Sequence, residues 1–130
     1  MLGLPPSCRI WLATGSCDLR KGFDGLLAEA KRQCPGDSPL SGHLFVFLGR
    51  TKKYVKVLWW SAGGLSLYSK RLEVGCFKLP TPVPGETSLR IDEADLAMML
   101  SGIDWARARR QKLDEPPRSL ATEGSTSNRR

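Results

Sequence analysis

The sequence predicts an α+β domain in which an antiparallel meander of about 4–5 strands carries two helices on one face. Three observations lead to this fold class. Short apolar runs of strand length recur along the chain, two of them flank a tight glycine-containing turn, and segments with helical spacing lie before and after them. Consecutive strands joined by short turns favour antiparallel pairing, in the order β-α-β-β-β-(β)-α.

The first strand is predicted at residues 9–14, where the run RIWLAT is apolar. Asp18 is a candidate N-cap for the helix that follows, and Pro35 with Gly36 ends that helix. Apolar residues at helical spacing give this helix one buried face, formed by Leu19, Phe23, Leu26, Leu27 and Ala30.

The central strand is predicted at residues 43–48, an aromatic and apolar run. A hairpin follows, with strands at 54–60 and 65–72 around a turn at 61–64. A further short strand is possible at 76–79.

Prolines at positions 80, 82 and 84 predict an extended loop. Asp92 is a candidate N-cap for the second helix, and Gly102 is its expected C-terminal stop. The predicted buried stripe of that helix consists of Leu96, Met99, Leu100 and Ile103.

Length and charge indicate one folded domain with a basic tail. The chain has 130 residues and a formal net charge of +7. We expect a single α+β domain at residues 1–105 and a disordered basic Pro/Ser-rich tail at 106–130, because the tail composition offers too little apolar surface to fold. Residues 49–80 contain seven Lys or Arg residues against Glu73 alone, which favours a polyanionic partner such as nucleic acid.

Several classes of site are disfavoured by the sequence. The four cysteines form no C-x-x-C unit, and His43 is the single histidine, so neither a zinc site nor a histidine base is expected. No phosphate-binding glycine loop or nucleophile elbow is present. We therefore expect no enzyme, no catalytic residue, no metal and no cofactor. The absence of a signal peptide or a long apolar run predicts a cytoplasmic protein with free thiols.

The predicted hairpin interleaves cations with aromatic residues. If the face of Tyr54, Lys56 and Trp60 coincides with that of Tyr68 and Lys70, the surface could neutralise phosphates and stack on bases. The alternative is that the aromatic residues belong to the core and the lysines to a solvated face. The candidate stacking or partner-binding residues are Trp60 and Tyr68, and the candidate nucleic-acid contacts are Arg20, Lys21, Lys52, Lys53, Lys56, Lys70 and Arg71.

A second charged group lies at the start of the first helix. Arg20 and Lys21, between Asp18 and Asp24, could contact phosphate or an acidic partner. The alternative is a helix cap with ordinary surface charges. A Mg²⁺ site built from these carboxylates has no support in their spacing.

Four linked motifs carry a family resemblance over about residues 1–105. They are DLRKGFDG at 18–25, SGHLFVF at 41–47, KVLWW at 56–60 and KRLE at 70–73. In this order and spacing they resemble the TnpB accessory proteins (Orf2-like) of the insertion-sequence family numbered sixty-six. By this resemblance, the positions that recur in the family fall on Asp18, Arg20, Lys21, Phe23, Asp24, Gly25, Ser41, Gly42, Trp59, Trp60, Lys70, Arg71 and Glu73.

The resemblance implies a small bacterial protein that is encoded beside a transposase and is needed for transposition, but lacks the strand-cutting acids. Relatives usually carry an acidic residue and a glycine after the paired aromatics. Here Ser61 and Ala62 follow them, so that negative charge is missing.

Two functions remain open from the sequence. The first is a non-catalytic accessory factor that binds transposon-end DNA, or the transposase–DNA complex, through the basic aromatic hairpin. The alternative is a protein-interaction module that bridges transposase subunits without direct DNA contact, for which Trp59 and Trp60 would be anchors. A nuclease using Asp18 and Asp24 is the least supported.

Overall fold

The protein is a mixed five-stranded sheet between two helices. The computed structural model describes residues 7–79 and 83–102. Its elements are β1 (Ile10–Ala13), α1 (Phe23–Gln33), β2 (Leu44–Leu48), β3 (Tyr54–Ser61), β4 (Gly64–Arg71), β5 (Ser88–Ile91) and α2 (Glu93–Leu100).

The strand order across the sheet is β4-β3-β2-β1-β5. β1 and β2 run parallel, while β5 pairs antiparallel with β1, and β3 and β4 extend the other side as an antiparallel hairpin. The predicted α+β class is confirmed, but the pure meander is wrong. Parallel neighbours need a crossover connection, and α1 provides it between β1 and β2.

The two helices cover opposite faces of the sheet rather than one face. Side chains alternate along β2, so that Val46 packs in one core with Leu96 of α2, whereas Phe47 packs in a second core with Leu26 of α1. All five residues of β2 are buried. A strand that is apolar at every position requires cover on both faces, which explains why the predicted two-layer arrangement was wrong.

The first helix begins later than the sequence predicted. Gly22 is its N-cap and makes no side-chain capping bond. Asp18 is not the cap, because its Oδ1 accepts a hydrogen bond from the backbone N–H of Arg20, 3.0 Å away, in a turn that precedes the helix. Leu19 therefore lies outside the helix, and Phe23, its first residue, is 47% exposed instead of buried.

The second helix begins as predicted. Asp92 caps it through a hydrogen bond from the Asp95 backbone N–H at 2.7 Å, and the Asp95 side chain returns the bond in a capping box. Leu96 and Met99 are buried, while Ile103 lies outside the described residues. Gly102 follows the helix with a φ of +80°, which agrees with its predicted role as the stop.

The fifth strand is not at residues 76–79. That segment is irregular, although Phe77 is buried and its N–H donates to the Lys52 carbonyl at 2.7 Å. The fifth strand is β5, which pairs with β1 far away in sequence. The predicted tail at 106–130 lies outside the described residues.

Candidate nucleic-acid interface

The turn between β2 and β3 carries basic residues on a backbone that hydrogen bonds hold in place. Within it, Lys52 has a φ of +62° and donates its N–H to the Gly49 carbonyl at 3.0 Å. The carbonyls of Lys52 and Lys53 accept hydrogen bonds from Phe77 and Leu72, at 2.7 and 2.8 Å. The backbone of the turn is thus held by the segment 72–77. Its cationic side chains are the groups that can contact a partner.

Within this basic turn, residues 49–53, the residues 49–51 form one wall of an open cleft of about 970 Å³, together with Tyr54. The opposite wall is the segment 16–20, which is anchored where the Cys17 N–H donates to the Leu48 carbonyl at 3.1 Å. The lining residues are Ser16, Cys17, Asp18, Leu19, Arg20, Gly49, Arg50, Thr51 and Tyr54. We refer to this space as the β2–β3 cleft.

Two guanidinium groups lie in the β2–β3 cleft. Arg20 donates from Nε to Asp18 Oδ1 and from Nη2 to Asp18 Oδ2, both at 3.0 Å. The hydrogen bond from Arg20 lowers the pKa of Asp18 to about 2, so the carboxylate is charged and paired with its neighbour. Arg50 is exposed and has no side-chain partner among the residues that the structure covers.

Tyr54 brings an aromatic ring to the same cleft. It is the first residue of β3, is 45% exposed, and lies opposite Arg71 in the ladder with β4. Arg71 donates to Glu73 at 2.9 Å, and hydrogen bonds with Glu73 and then Tyr54 raise the pKa of Arg71. The strand therefore fixes Tyr54 beside Arg71, and part of the Tyr54 side chain is open to the cleft.

The cationic aromatic surface predicted for the hairpin is divided between two faces. Residues opposite each other in an antiparallel ladder share a face. Lys56 lies opposite Ser69, whereas Tyr68 lies opposite Val57 and Lys70 opposite Val55. Lys56 and Trp60 are consequently on the α1 side of the sheet, and Tyr68 and Lys70 are on the α2 side, so the two predicted faces do not coincide.

Three of the predicted contacts, Lys70, Tyr68 and Trp60, have other surroundings. Lys70 donates its Nζ to the Leu100 carbonyl at 2.5 Å, at the end of α2. Tyr68 and Trp59 are half-buried against the core under α2. Trp60 is half-buried on the α1 side, six positions from Tyr54 and therefore roughly 20 Å away along the strand. Neither Trp60 nor Tyr68 can therefore stack on a ligand that lies in the β2–β3 cleft.

Lys21 is also committed to a partner. Its Nζ donates to Glu29 Oε2 at 3.1 Å, and Glu29 further accepts from Arg32 at 2.6 Å and from Gln33 at 2.7 Å. These hydrogen bonds, that from Arg32 foremost, lower the pKa of the buried Glu29 to about 2. Gly25 is needed here, because a Cβ at that position would lie 2.8 Å from the Cβ of Lys21.

The remaining motif residues shape loops. Ser41 donates its Oγ to the Ser38 carbonyl at 2.5 Å, and Gly42 has a φ of +92° just before β2. Glu73 is the partner of Arg71, and Asp24 is exposed in the first turn of α1. These placements favour structural roles for Ser41, Gly42 and Glu73, and Asp24 is exposed to solvent.

Sequence reasoning missed two further groups. Asp37 accepts hydrogen bonds from Arg9 Nη1 and Trp11 Nε1, both at 2.7 Å, and lies 3.6 Å from His43. Burial raises the pKa of Asp37, but Trp11, His43 and Arg9 outweigh it, and the pKa is lowered. Nothing in the spacing of these residues signals the cluster, because it joins three separate segments.

Arg50 was not among the candidate contacts, and Tyr54 was named only as part of a hairpin face, although the two residues bracket the basic turn in sequence. The signal that could have identified them is the pattern Arg-Thr-Lys-Lys-Tyr between two strands, since a turn exposes the residues at its ends. Among residues 7–79 and 83–102, no group of three or more His, Cys, Asp or Glu side chains could hold a metal ion. No helix in those ranges is long and apolar enough to cross a membrane.

Comparison with known proteins gives the family. The family model described as IS66 Orf2 like protein matches residues 8–110. The chain belongs to the IS66 Orf2-like family. The family associates the chain with insertion sequences as an accessory protein, and it is not a known catalytic family.

Two relatives of this IS66 Orf2-like protein come from Sinorhizobium fredii (strain NBRC 101917 / NGR234). Uncharacterized protein y4hO is 40% identical over 105 residues, which span 81% of this chain and 89% of the relative. Uncharacterized protein y4jC is 30% identical over 116 residues, which span 89% of this chain and 97% of the relative. No solved structure matches the chain significantly.

Proposed function

We propose that this IS66 Orf2-like protein is a non-catalytic accessory factor of transposition that binds the phosphate backbone of transposon-end DNA at the β2–β3 cleft. The observation that carries the proposal is Arg50, an exposed guanidinium on a fixed turn without a protein partner in the described structure. An arginine in this state can give both nitrogens of its fork to a phosphate.

Charge around the cleft supports the proposal. Five cations lie on the turn or beside it, against two carboxylates, Asp18 and Glu73, that are each paired with an arginine. The cations are Arg20, Arg50, Lys52, Lys53 and Arg71. Cations that neutralise phosphates release counterions, which gives affinity that depends steeply on salt.

Backbone contacts alone do not select a sequence. Choice of the transposon end would therefore come from the transposase, with this protein adding affinity to the assembled complex. Lys70 and Lys21 contribute less in this proposal, because their ammonium groups already have partners. Lys56 is on the same face of the sheet as Tyr54 but is not among the residues that line the cleft.

The test is fluorescence anisotropy with labelled transposon-end duplex and a scrambled duplex, each at low and physiological salt. The wild type should bind both duplexes, with a steep loss of affinity as salt rises. Arg50→Ala should weaken binding about three- to tenfold and reduce the salt slope by about 1. Lys31→Ala, which removes an exposed cation of α1 outside the cleft, should change affinity by less than about twofold. Absence of duplex binding at low salt would overturn the proposal.

A second candidate function is a protein-interaction module, and the position of β4 at the edge of the sheet, as formed by the described residues, favours it. Leu72 donates to the Lys53 carbonyl, so the alternating ladder directs the N–H and C=O groups of Leu65, Leu67 and Ser69 away from β3. The edge carries no charge from Gly64 to Ser69. A long uncharged edge is a template for a strand of another protein, here the transposase.

Ser69→Pro tests this second function. Proline removes an outward N–H at an exposed position of an edge strand, where the fold tolerates it. Ser69→Thr keeps the N–H and serves as the control. Loss of co-purification with the transposase in Ser69→Pro alone would support strand addition, and retention in both variants would contradict it.

A further inference from the structure

We propose that the β2–β3 cleft holds one unpaired nucleotide, with its phosphate at Arg50 and Arg20 and its base against the ring of Tyr54. This inference rests on the proposed function and deepens it, because it names the form of DNA that the site accepts. Duplex backbone binding requires only the cations, whereas the nucleotide site also requires the aromatic ring.

The dimensions of the cleft fit this ligand. Its volume of about 970 Å³ is at the upper end of the roughly 300–1,000 Å³ range of small-molecule sites. Its two walls are both anchored to the sheet, through Cys17 to the end of β2 and through Gly49, whose N–H donates to the Tyr54 carbonyl at 3.2 Å. A site of this size admits a base and its sugar as well as the phosphate.

The ring of Tyr54 is suited to stacking. Tyr54 is 45% exposed although it begins a regular strand, and Arg71 lies opposite it in the ladder with β4. A base in a duplex is already stacked and paired, so only an unpaired or flipped base can reach such a ring. Cationic grooves with exposed aromatics are the usual design of sites for single strands.

The acidic residue in the cleft does not oppose a phosphate strongly. Both oxygens of Asp18 are occupied by Arg20, so the pair presents a guanidinium that retains further N–H donors. Arg50 adds a cation without a partner in the described part of the chain. The cleft thus offers two forks for one phosphate and a net positive charge.

The experiment measures anisotropy with three labelled probes: an oligothymidine of about 12 nucleotides, within the roughly 4–16-nucleotide range of single-strand sites, the matching duplex, and the same strand without bases. The wild type should bind the oligothymidine more tightly than the base-free strand by about tenfold. Tyr54→Leu should remove that difference, and Tyr54→Phe, which keeps the ring, should retain it within about twofold. Thermal unfolding of each variant checks that the exposed substitution leaves the fold intact.

The outcomes separate the two proposals. Equal binding of the base-carrying and base-free strands, or equal losses for strand and duplex in Tyr54→Leu, would overturn the nucleotide site and leave backbone binding standing. Binding of the oligothymidine without any binding of duplex would support the nucleotide site and overturn the duplex proposal. No binding of any probe at low salt would overturn both.

Discussion

The ammonium group of Lys70 donates a hydrogen bond to the carbonyl of Leu100, the last residue of α2, over 2.5 Å. A cation at a helix C-terminus satisfies an orphan carbonyl and opposes the negative end of the helix dipole. The edge strand of the sheet and the second helix are therefore joined by a lysine that the sequence suggested for DNA.

We predict that Lys70→Met lowers the free energy of unfolding by about 1–2 kcal/mol, because a half-buried charged hydrogen bond is lost at the end of α2. Urea denaturation measures this change. Lys53→Met, which removes an exposed ammonium, is the control and should cost less than about 0.5 kcal/mol. DNA affinity should fall more in Lys53→Met than in Lys70→Met. A DNA-binding defect confined to Lys70→Met would contradict this assignment.

Acid should weaken the fold through Glu29. Its pKa is about 2 in the folded protein, below the ordinary value of 4.5, so its contribution to stability is complete above about pH 5 and is lost as the pH falls toward 2. That contribution is on the order of 2 kcal/mol. Denaturant titrations between pH 7 and pH 2 should show a decline that Glu29→Gln flattens. Glu86→Gln, at an exposed position, should leave the decline unchanged; equal slopes in all three proteins would refute the assignment.

Alanine should be tolerated at one glycine of the DLRKGFDG motif and not at the other. At Gly25 a Cβ would overlap Lys21, so Gly25→Ala should destabilise by about 1–3 kcal/mol in spite of the higher helix propensity of alanine. At Gly22 nothing lies within 4 Å of the added Cβ, and Gly22→Ala should change stability by less than about 1 kcal/mol. Thermal unfolding of Gly25→Ala and Gly22→Ala measures the difference. Similar losses of stability in both variants would contradict the prediction, because they would mean that the overlap with Lys21 is relieved.

The four thiols should differ in reactivity. Burial raises the pKa of Cys34 to about 12, and Cys17 is buried as well, whereas Cys8 and Cys76 are half-buried. Because the thiolate is the reactive form, alkylation at pH 8 should modify Cys8 and Cys76 before Cys17 and Cys34. Peptide mass spectrometry gives the order, and urea-unfolded protein, in which all four should react together, is the reference. Early labelling of Cys34 in the folded protein would contradict its burial.

Local signals predicted what is local in this fold. The cap of α2 was found because Asp92 and Asp95 carry the capping box within four residues. The hairpin was found because its strands adjoin a short turn. β5 was missed because Ser88–Ile91 is short and its pairing with β1 depends on residues far away in sequence.

Of the candidate site, the sequence indicated the positive charge but not the arrangement of the side chains. The basic block at 49–80 includes the turn that lines the β2–β3 cleft. The faces of the hairpin, however, depend on the strand register, and the register depends on the hairpin turn. The turn has two central residues, Ala62 and Gly63, both with positive φ, so Ser61 pairs with Gly64. That pairing places Tyr68 and Lys70 on the face opposite Trp60, and a register shifted by one residue would have reversed it.

The side chains of β2 alternate in size as well as in direction. The phenylalanines at 45 and 47 enter the side of the sheet where α1 and its flanks supply small residues, among them Ala30 and Cys34, while the branched aliphatic residues enter the other side. The two cores are thus filled by complementary sizes and are not interchangeable. Inserting one residue into β2 would send each large ring into a space shaped for a leucine or valine. The strand therefore has one register that packs on both faces, and the pairing of the neighbouring strands depends on it.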